Sequence, residues 1–220
     1  MIPPEQSADF VYAMERVLDV YKRPYTKRHP VLCLDESYKQ LQSEKRLPIT
    51  TENGTTLYDY EYKREGSNDI YVVCEPLAGK RFTFVEDNHN RFTWAKIVAN
   101  IVQNHYPDAE MVTIVQDNLS AHKPSAMYEI FPAEQAHSLL SRIEFVNTPP
   151  HGSWLNMAEI EFSVMARQCL NQRIASKNEL TAKLKTWEEK RNASQATINW
   201  QFTKEDARVK LRHLYPTISD

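Results

Sequence analysis

The sequence has 220 residues, 41% of them hydrophobic and 25% charged, with a formal net charge of −2. That is enough to bury one core, and the length favours a single domain with at most a helical appendage. No apolar run approaches the roughly 20 residues of a membrane helix, and MIPPEQSADF lacks the basic and apolar regions of an export signal. No membrane helix is expected, and a cytoplasmic protein is. Cys33, Cys74 and Cys169, odd in number and far apart, read as reduced core thiols.

Residues 5–21 carry Phe10, Met14, Val17 and Leu18 at helical spacing, and the basic segment YKRPYTKRHP follows as a connector. PVLCLDES has four consecutive apolar residues, as a strand buried on both faces does. Residues 39–56 read as a polar loop with a turn at Asn53-Gly54. LYDYEY alternates around Tyr58, Tyr60 and Tyr62; NDIYVVCEP and KRFTFVE then read as antiparallel partners around the turn Pro76–Gly79. A helix is predicted from about Phe92 to His105, a buried strand at EMVTIVQDN, a helix over 124–140 and a short strand at RIEFVN. Helices are predicted from Ser153 to about Arg173, over 177–191 and in TKEDARVKLRHLYP. The order implies an α/β fold with a mixed sheet. Function in such sheets gathers beyond the carboxyl ends of central strands.

Three carboxylates stand on three of these elements. Asp35 closes one buried strand, Asp117 closes another, and Glu159 lies one to two turns into a helix. Each alone reads equally as a turn former, a helix cap or a solvated charge. Together they form the hard-oxygen donor set that a pair of magnesium ions needs. Asn156 shares a helical face with Glu159 and can orient a water or meet a phosphate, or be a plain surface amide. Glu161 points about 200° away and is expected to be solvated and outside the site. Glu36 is excluded as well, because neighbouring strand residues face opposite ways. His122 and Lys123 are candidate phosphate contacts, with a loop or capping role open for His122. Trp154, in the loop before the Glu159 helix, is a candidate base-stacker, with packing equally open.

Local wording around the carboxylates adds a further signal. VLCLDES with Asp35, QDNLSAHK with Asp117, Asn118 and His122, and GSWLNMAEIE with Asn156 and Glu159 resemble bacterial insertion-sequence transposases of the mariner-related DDE superfamily. The resemblance runs through most of the chain to LRHLYP. It implies a ribonuclease H-like, mixed five-stranded sheet flanked by helices. It also implies catalytic and metal-binding roles for Asp35, Asp117 and Glu159, two Mg²⁺ or Mn²⁺ ions, cutting of double-stranded DNA at transposon ends and strand transfer into target DNA. A homodimer pairing two ends, acting at the bacterial nucleoid, is implied too. The corresponding layout is a helix and basic connector over 1–30, the catalytic domain over 31–175 and a helical extension over 176–220 packed on it. Relatives carry helix-turn-helix domains ahead of this region and this sequence does not, so end-specific recognition is not expected of it alone. The pair Met157-Ala158 departs from the proline-containing pair common in relatives, and 41 residues separate Asp117 from Glu159, more than in eukaryotic relatives.

Two other readings stand beside the transposase. One is a catalytically idle or truncated fragment that binds DNA or a partner; the other is a nuclease of the same fold that does not join. Zinc has no ligand spacing to rest on, no P-loop or GxGxxG is present, and DNHN at 87–90 lacks the rest of a nuclease motif. Basic residues at Lys22, Arg23, Lys27, Arg28 and His29, and again from Lys190 to His213, suggest weak, salt-dependent and non-specific DNA binding.

Overall fold

In the computed structural model, which describes residues 5–57 and 59–217, a five-stranded sheet has helices on both faces. Its strands are β1 (Val31–Glu44), β4 (Tyr62–Glu75), β5 (Lys80–Glu86), β6 (Val112–Gln116) and β7 (Ile143–Asn147), while β2 (Ile49–Thr50) and β3 (Thr56–Leu57) form a separate small hairpin. The order is β5-β4-β1-β6-β7. β4 runs antiparallel to β1 and β5, whereas β6 and β7 run parallel to β1. This is the ribonuclease H-like arrangement that the resemblance implies.

Two expectations about the strands need correction. β1 does not stop near Ser37 but continues to Glu44, so 39–44 is strand rather than loop. The extension survives because β4 accompanies it as a long antiparallel ribbon, through a register shift at Leu41/Gln42. LYDYEY is not one strand: Thr56-Leu57 belongs to the hairpin, Tyr60 is exposed, and β4 starts only at Tyr62. Tyr58 lies outside the described residues. The alternation there is of half-polar tyrosines, which mimic a buried face without having one.

The helices begin where side chains can cap them. Ser7 accepts from Phe10 N ahead of α1 (Ala8–Tyr21), and Asn90 accepts from Phe92 N and Thr93 N ahead of α2 (Arg91–Asn100). Each satisfies backbone donors that the first turn leaves free. A π-helical turn over Ile101–His105 prolongs α2. The helix expected over 124–140 is broken into a 3₁₀ turn at Pro124–Ala126, α3 (Met127–Ile130) and α4 (Ala133–Leu140). Pro132 disfavours helical backbone in the residue before it, and Phe131 is extended. The stretch after Gly152 divides likewise into a 3₁₀ turn (Ser153–Leu155), α5 (Ala158–Met165) and a π turn (Ala166–Leu170). α6 (Lys177–Ala193) is capped by Ser176, and α7 (Lys204–Lys210) by a reciprocal Thr203–Asp206 box.

Three apolar clusters hold these layers. On one face of the sheet, Leu32, Leu34, Tyr71, Val73 and Ile114 pack under α2, α3 and α4, with Trp94 fully buried among them. On the other face, Cys33, Cys74 and Val115 pack beneath α1, the 154–158 segment and the C-terminal residues Ala207, Leu211 and Leu214. The third cluster seats α6, through Leu180, Leu184 and Trp187, against Leu41, Ile70, Val72 and Met165. The three cysteines are free and buried, as expected. Gly79 turns β4 into β5 at φ +66°, and a Cβ there would stand 2.6 Å from the Gln195 carbonyl carbon.

Candidate active site

β6 pairs with β1 only as far as Cys33 and Val115. Beyond that point β1 keeps only β4 as a strand partner, and Asp35 lies two residues past the last paired residue, Cys33. Asp35 therefore lies inside a long strand, at the end of its parallel pairing rather than at its own end. Asp117 follows directly after β6, and Glu159 sits in the first turn of α5 rather than one to two turns in. An acidic residue there also suits the positive end of the helix dipole.

The three carboxylates act on one another. Asp35 is 7% exposed. Its carboxyl is pushed up to about 7, first by burial and then by the charges of Glu159, Glu36 and Asp117, while the Glu36 N–H on Oδ1 (2.9 Å) pulls the other way. Glu159 is raised as well, by partial burial and by Asp117. Among the described residues, no three His, Cys, Asp or Glu side chains already converge as a ready ion cage. The donor set is nonetheless the kind a divalent cation fits. It consists of hard carboxylate oxygens, and those of Asp35 and Glu159 are disfavoured in their ionised form by burial and by neighbouring charge, a cost that bound positive charge would remove.

Asn156 is buried rather than a surface amide. It is 1% exposed, and its Nδ2 donates to Leu34 O (2.8 Å) and Asp35 Oδ2 (3.3 Å) while its Oδ1 accepts from Ala158 N (3.2 Å). One amide thus ties the start of α5 to β1 and fixes the Asp35 carboxylate beside Glu159. Asn156→Ala should orphan the Leu34 carbonyl, costing about 1–3 kcal/mol. It should also weaken divalent-cation binding by about 10–100-fold, the usual effect of losing a partner that orients a ligand. Thermal melts and a Mn²⁺ titration of the variant check both.

His122 is not free to meet a phosphate either. Its side chain is almost wholly buried, with Nδ1 2.7 Å from Asp117 Oδ1 and Nε2 3.1 Å from Glu36 Oε2. Its ring stacks on Trp94, centroids 5.8 Å apart. Burial disfavours the charged ring, but the hydrogen bonds to Asp117 and Glu36 outweigh it and lift the pKa to about 10. The imidazolium holds the Asp117 carboxylate in place. Glu36, excluded by strand alternation, joins the site through this histidine. It does face the opposite side of the sheet from Asp35, but β6 has ended there, so His122 reaches around the gap. Trp94 and Gln116 support the same corner: Trp94 Nε1 donates to Gln116 Oε1 (3.0 Å), which carries no signal in sequence.

Trp154 is half-buried and packs edge-on against Phe202, ring centroids 5.6 Å apart, so a packing role replaces the base-stacking one. Lys123 is exposed beside His122, where a phosphate contact is sterically open. Glu161 faces away from the carboxylates as expected, but it is not solvated. It is 0% exposed and bonds Arg81 Nη2 (2.7 Å) and Arg191 Nη2 (3.0 Å). The 200° rotation that removes it from the site turns it into the sheet, not into water.

The loop from Thr148 to Ser153 lines a cavity of about 200 Å³ together with Asp117, Asn118 and Leu119. His151 there has φ 62°, an unusual backbone for a residue with a side chain. The basic clusters are largely neutralised locally. Lys22 pairs with Glu205, Arg23 with Glu144, Arg28 and His29 with Glu110, Lys204 with Asp19, Arg208 with Glu15 and Lys210 with Asp206. They mostly fasten α7 to α1, so they support DNA binding less than the sequence suggests. No helix among the described residues is long and apolar enough to cross a membrane.

A ribonuclease H-like sheet with acidic residues at the ends of its central parallel pairing and on a following helix defines a class of nucleic-acid enzymes. Comparison makes the assignment narrower: the profile of the DDE superfamily endonuclease family matches residues 30–181, and the chain belongs to that family. The fold is similar to solved structures of the Mos1 mariner transposase. For its paired end complex with Mn the TM-score is 0.55 at 14% identity, covering 89% of this chain and 61% of that one. For a pre-cleavage transpososome it is 0.55 at 16% identity, covering 86% and 62%. For the strand transfer complex it is 0.54 at 16% identity, covering 86% and 61%. The chain thus spans about three-fifths of the length of these solved chains. None of the curated proteins matches.

Proposed function

We propose that this chain carries the catalytic centre of a DNA transposase, with Asp35, Asp117 and Glu159 holding two Mg²⁺ or Mn²⁺ ions. The single observation that carries the reading is the buried Asp35 at the point where the parallel pairing of the central strands stops, with Glu159 and Asp117 near enough for their charges to push its carboxyl up. When bound, such ions activate an attacking oxygen and stabilise the leaving oxygen of a phosphodiester.

The protein's own residues would do the positioning. Asn156 orients Asp35, His122 orients Asp117, and the start of α5 presents Glu159. The cavity beside Asp117, walled by the 148–153 loop, admits a strand of backbone, and Lys123 stands at its approach. A cavity of about 660 Å³ lies between the π turn that prolongs α5 and α6, and Lys183, Lys190 and Arg191 line it. It offers a second cationic track for phosphates leading away from the site. Water as nucleophile gives cleavage at a transposon end, and the freed 3′-hydroxyl in the same place gives joining to target DNA. Two chains would pair two ends as a homodimer, at the nucleoid in a bacterial cell.

The test is incubation with a transposon-end oligonucleotide and Mn²⁺, followed by product sizing. Nicked and joined strands are expected. Nicks without joining would favour a hydrolytic nuclease of this fold, and no product with bound DNA would favour an idle binding fragment.

A further inference from the structure

A further cavity of about 270 Å³ opens at the start of β1 and the end of β4. Its deepest charged group is Glu75, the last residue of β4, which is 2% exposed. The Tyr106 hydroxyl donates to Glu75 Oε2 at 2.9 Å, and Oε1 receives no hydrogen bond among the described residues. Lys80 is the cross-strand partner of Glu75, and its Nζ lies 5.9 Å from the centre of the Tyr106 ring. The rim comes from the connector after α1. It consists of Tyr25, 46% exposed, with Lys27 and Arg28, the last held by Glu110.

Each part asks for a different feature of one ligand. An almost buried carboxylate oxygen without a donor calls for N–H groups, since an ionised carboxylate only accepts. An exposed tyrosine ring at a cavity mouth suits the flat face of a base. Lysines around the opening suit a phosphate. The volume is close to the lower end of small-ligand cavities, about 300 Å³, which fits one nucleotide and excludes a duplex. Among the bases, guanine presents two adjacent donors, N1–H and N2–H. Adenine and cytosine set an acceptor nitrogen beside their amino group, and thymine has one N–H between two carbonyls.

We infer that this cavity binds a single unpaired guanine nucleotide, its base edge on Glu75, its ring against Tyr25 and its phosphate at Lys27 and Lys80. In register, Glu75 stands three residue steps from Asp35, roughly 10 Å along the strand, and strand alternation puts it on the other face of the sheet. The bound nucleotide is therefore not the one being cut. The inference rests on the transposase reading only for its source: an extrahelical or single-stranded guanine of bound DNA, or else a free mononucleotide.

Calorimetric titration of the whole chain with dGMP, dAMP, dCMP and dTMP tests the site without any cleavage. A parallel titration uses a short oligothymidine carrying one central guanine against the all-thymine strand. dGMP is expected to bind at least about tenfold tighter than the other three, the discrimination of a good two-donor base contact. Glu75→Gln should erase that preference, and Tyr25→Ala should weaken all four. Tyr25 is exposed, so its variant decides the matter if the Glu75 variant fails to fold. Binding of dGMP and of the guanine-bearing strand supports a DNA source, and dGMP alone supports a free nucleotide. Equal affinity for all four nucleotides, or affinity untouched by both substitutions, overturns the site. A chain that never nicks DNA but still selects dGMP would sink the transposase reading and leave this one standing.

Discussion

Glu159→Gln is expected to reduce Mn²⁺-dependent nicking by more than about a hundredfold while leaving the melting temperature unchanged or slightly raised. The amide keeps the size and shape of the side chain but loses the charge that would hold a divalent cation. Loss of a partner that merely orients a metal ligand already costs about 10–100-fold, so loss of a ligand should cost more. Stability should not suffer. Glu159 sits on the exposed first turn of α5, and its carboxyl is raised by partial burial and by Asp117. Removing its charge relieves repulsion on Asp35 rather than breaking a contact. Nicking assays with thermal melts on the same preparation check both halves.

Glu161→Gln should do the reverse, and by a large margin in stability. Among the described residues Glu161 is the sole carboxylate bonded to Arg81, itself 0% exposed, and it also bonds Arg191. Through these bonds it ties α5 to β5 and to α6. Asn192 fastens the same place, exchanging hydrogen bonds with the Arg81 backbone at 2.7 and 2.8 Å. Removing the one negative charge leaves a buried guanidinium uncompensated, and Arg81 Nε and Nη1 already lack partners among the described residues. Breaking a buried pair in this way costs about 3–5 kcal/mol. For a chain of this size each kcal/mol lowers the melting temperature by about 2–4 °C, so a fall of roughly 6–20 °C is expected by calorimetry. At temperatures where the variant stays folded, Mn²⁺-dependent nicking should remain measurable, because Glu161 touches none of the three carboxylates.

The two glutamates show what the sequence could and could not disclose. Helical rotation separated Glu159 from Glu161 correctly, since 200° on an α-helix is fixed by geometry. What lay on the far side was not readable, because the arginines that meet Glu161 come from positions 81 and 191, on a strand and a helix distant in sequence. Glu36 failed for a similar reason: alternation put it on the other face, and only the early end of β6 lets His122 bridge the two faces. For Trp154 and Asn156 the sequence locates the segment but not the inward roles. Their partners, Phe202 and the Leu34 carbonyl, are set by tertiary packing that no local pattern encodes. The sheet was more legible, as apolar runs such as VLCL and VTIV are the direct signature of strands buried on both faces. The long polar half of β1 was not, because a two-stranded ribbon in solvent has no such run. The carboxylates emerged from sequence only as a set, through the wording around them, since each alone is an ordinary surface acid.

The central claim is that Asp35, Asp117 and Glu159 hold a pair of divalent cations. Electron paramagnetic resonance of Mn²⁺ titrated into the chain with a duplex oligonucleotide tests it most directly, because it counts the ions and senses their separation. Two Mn²⁺ per chain are expected, with the mutually broadened spectrum of ions about 4 Å apart, and that signal should be lost in Asp35→Asn. Absence of bound Mn²⁺, or isolated ions that bind equally well to the Asp35→Asn chain, would contradict it.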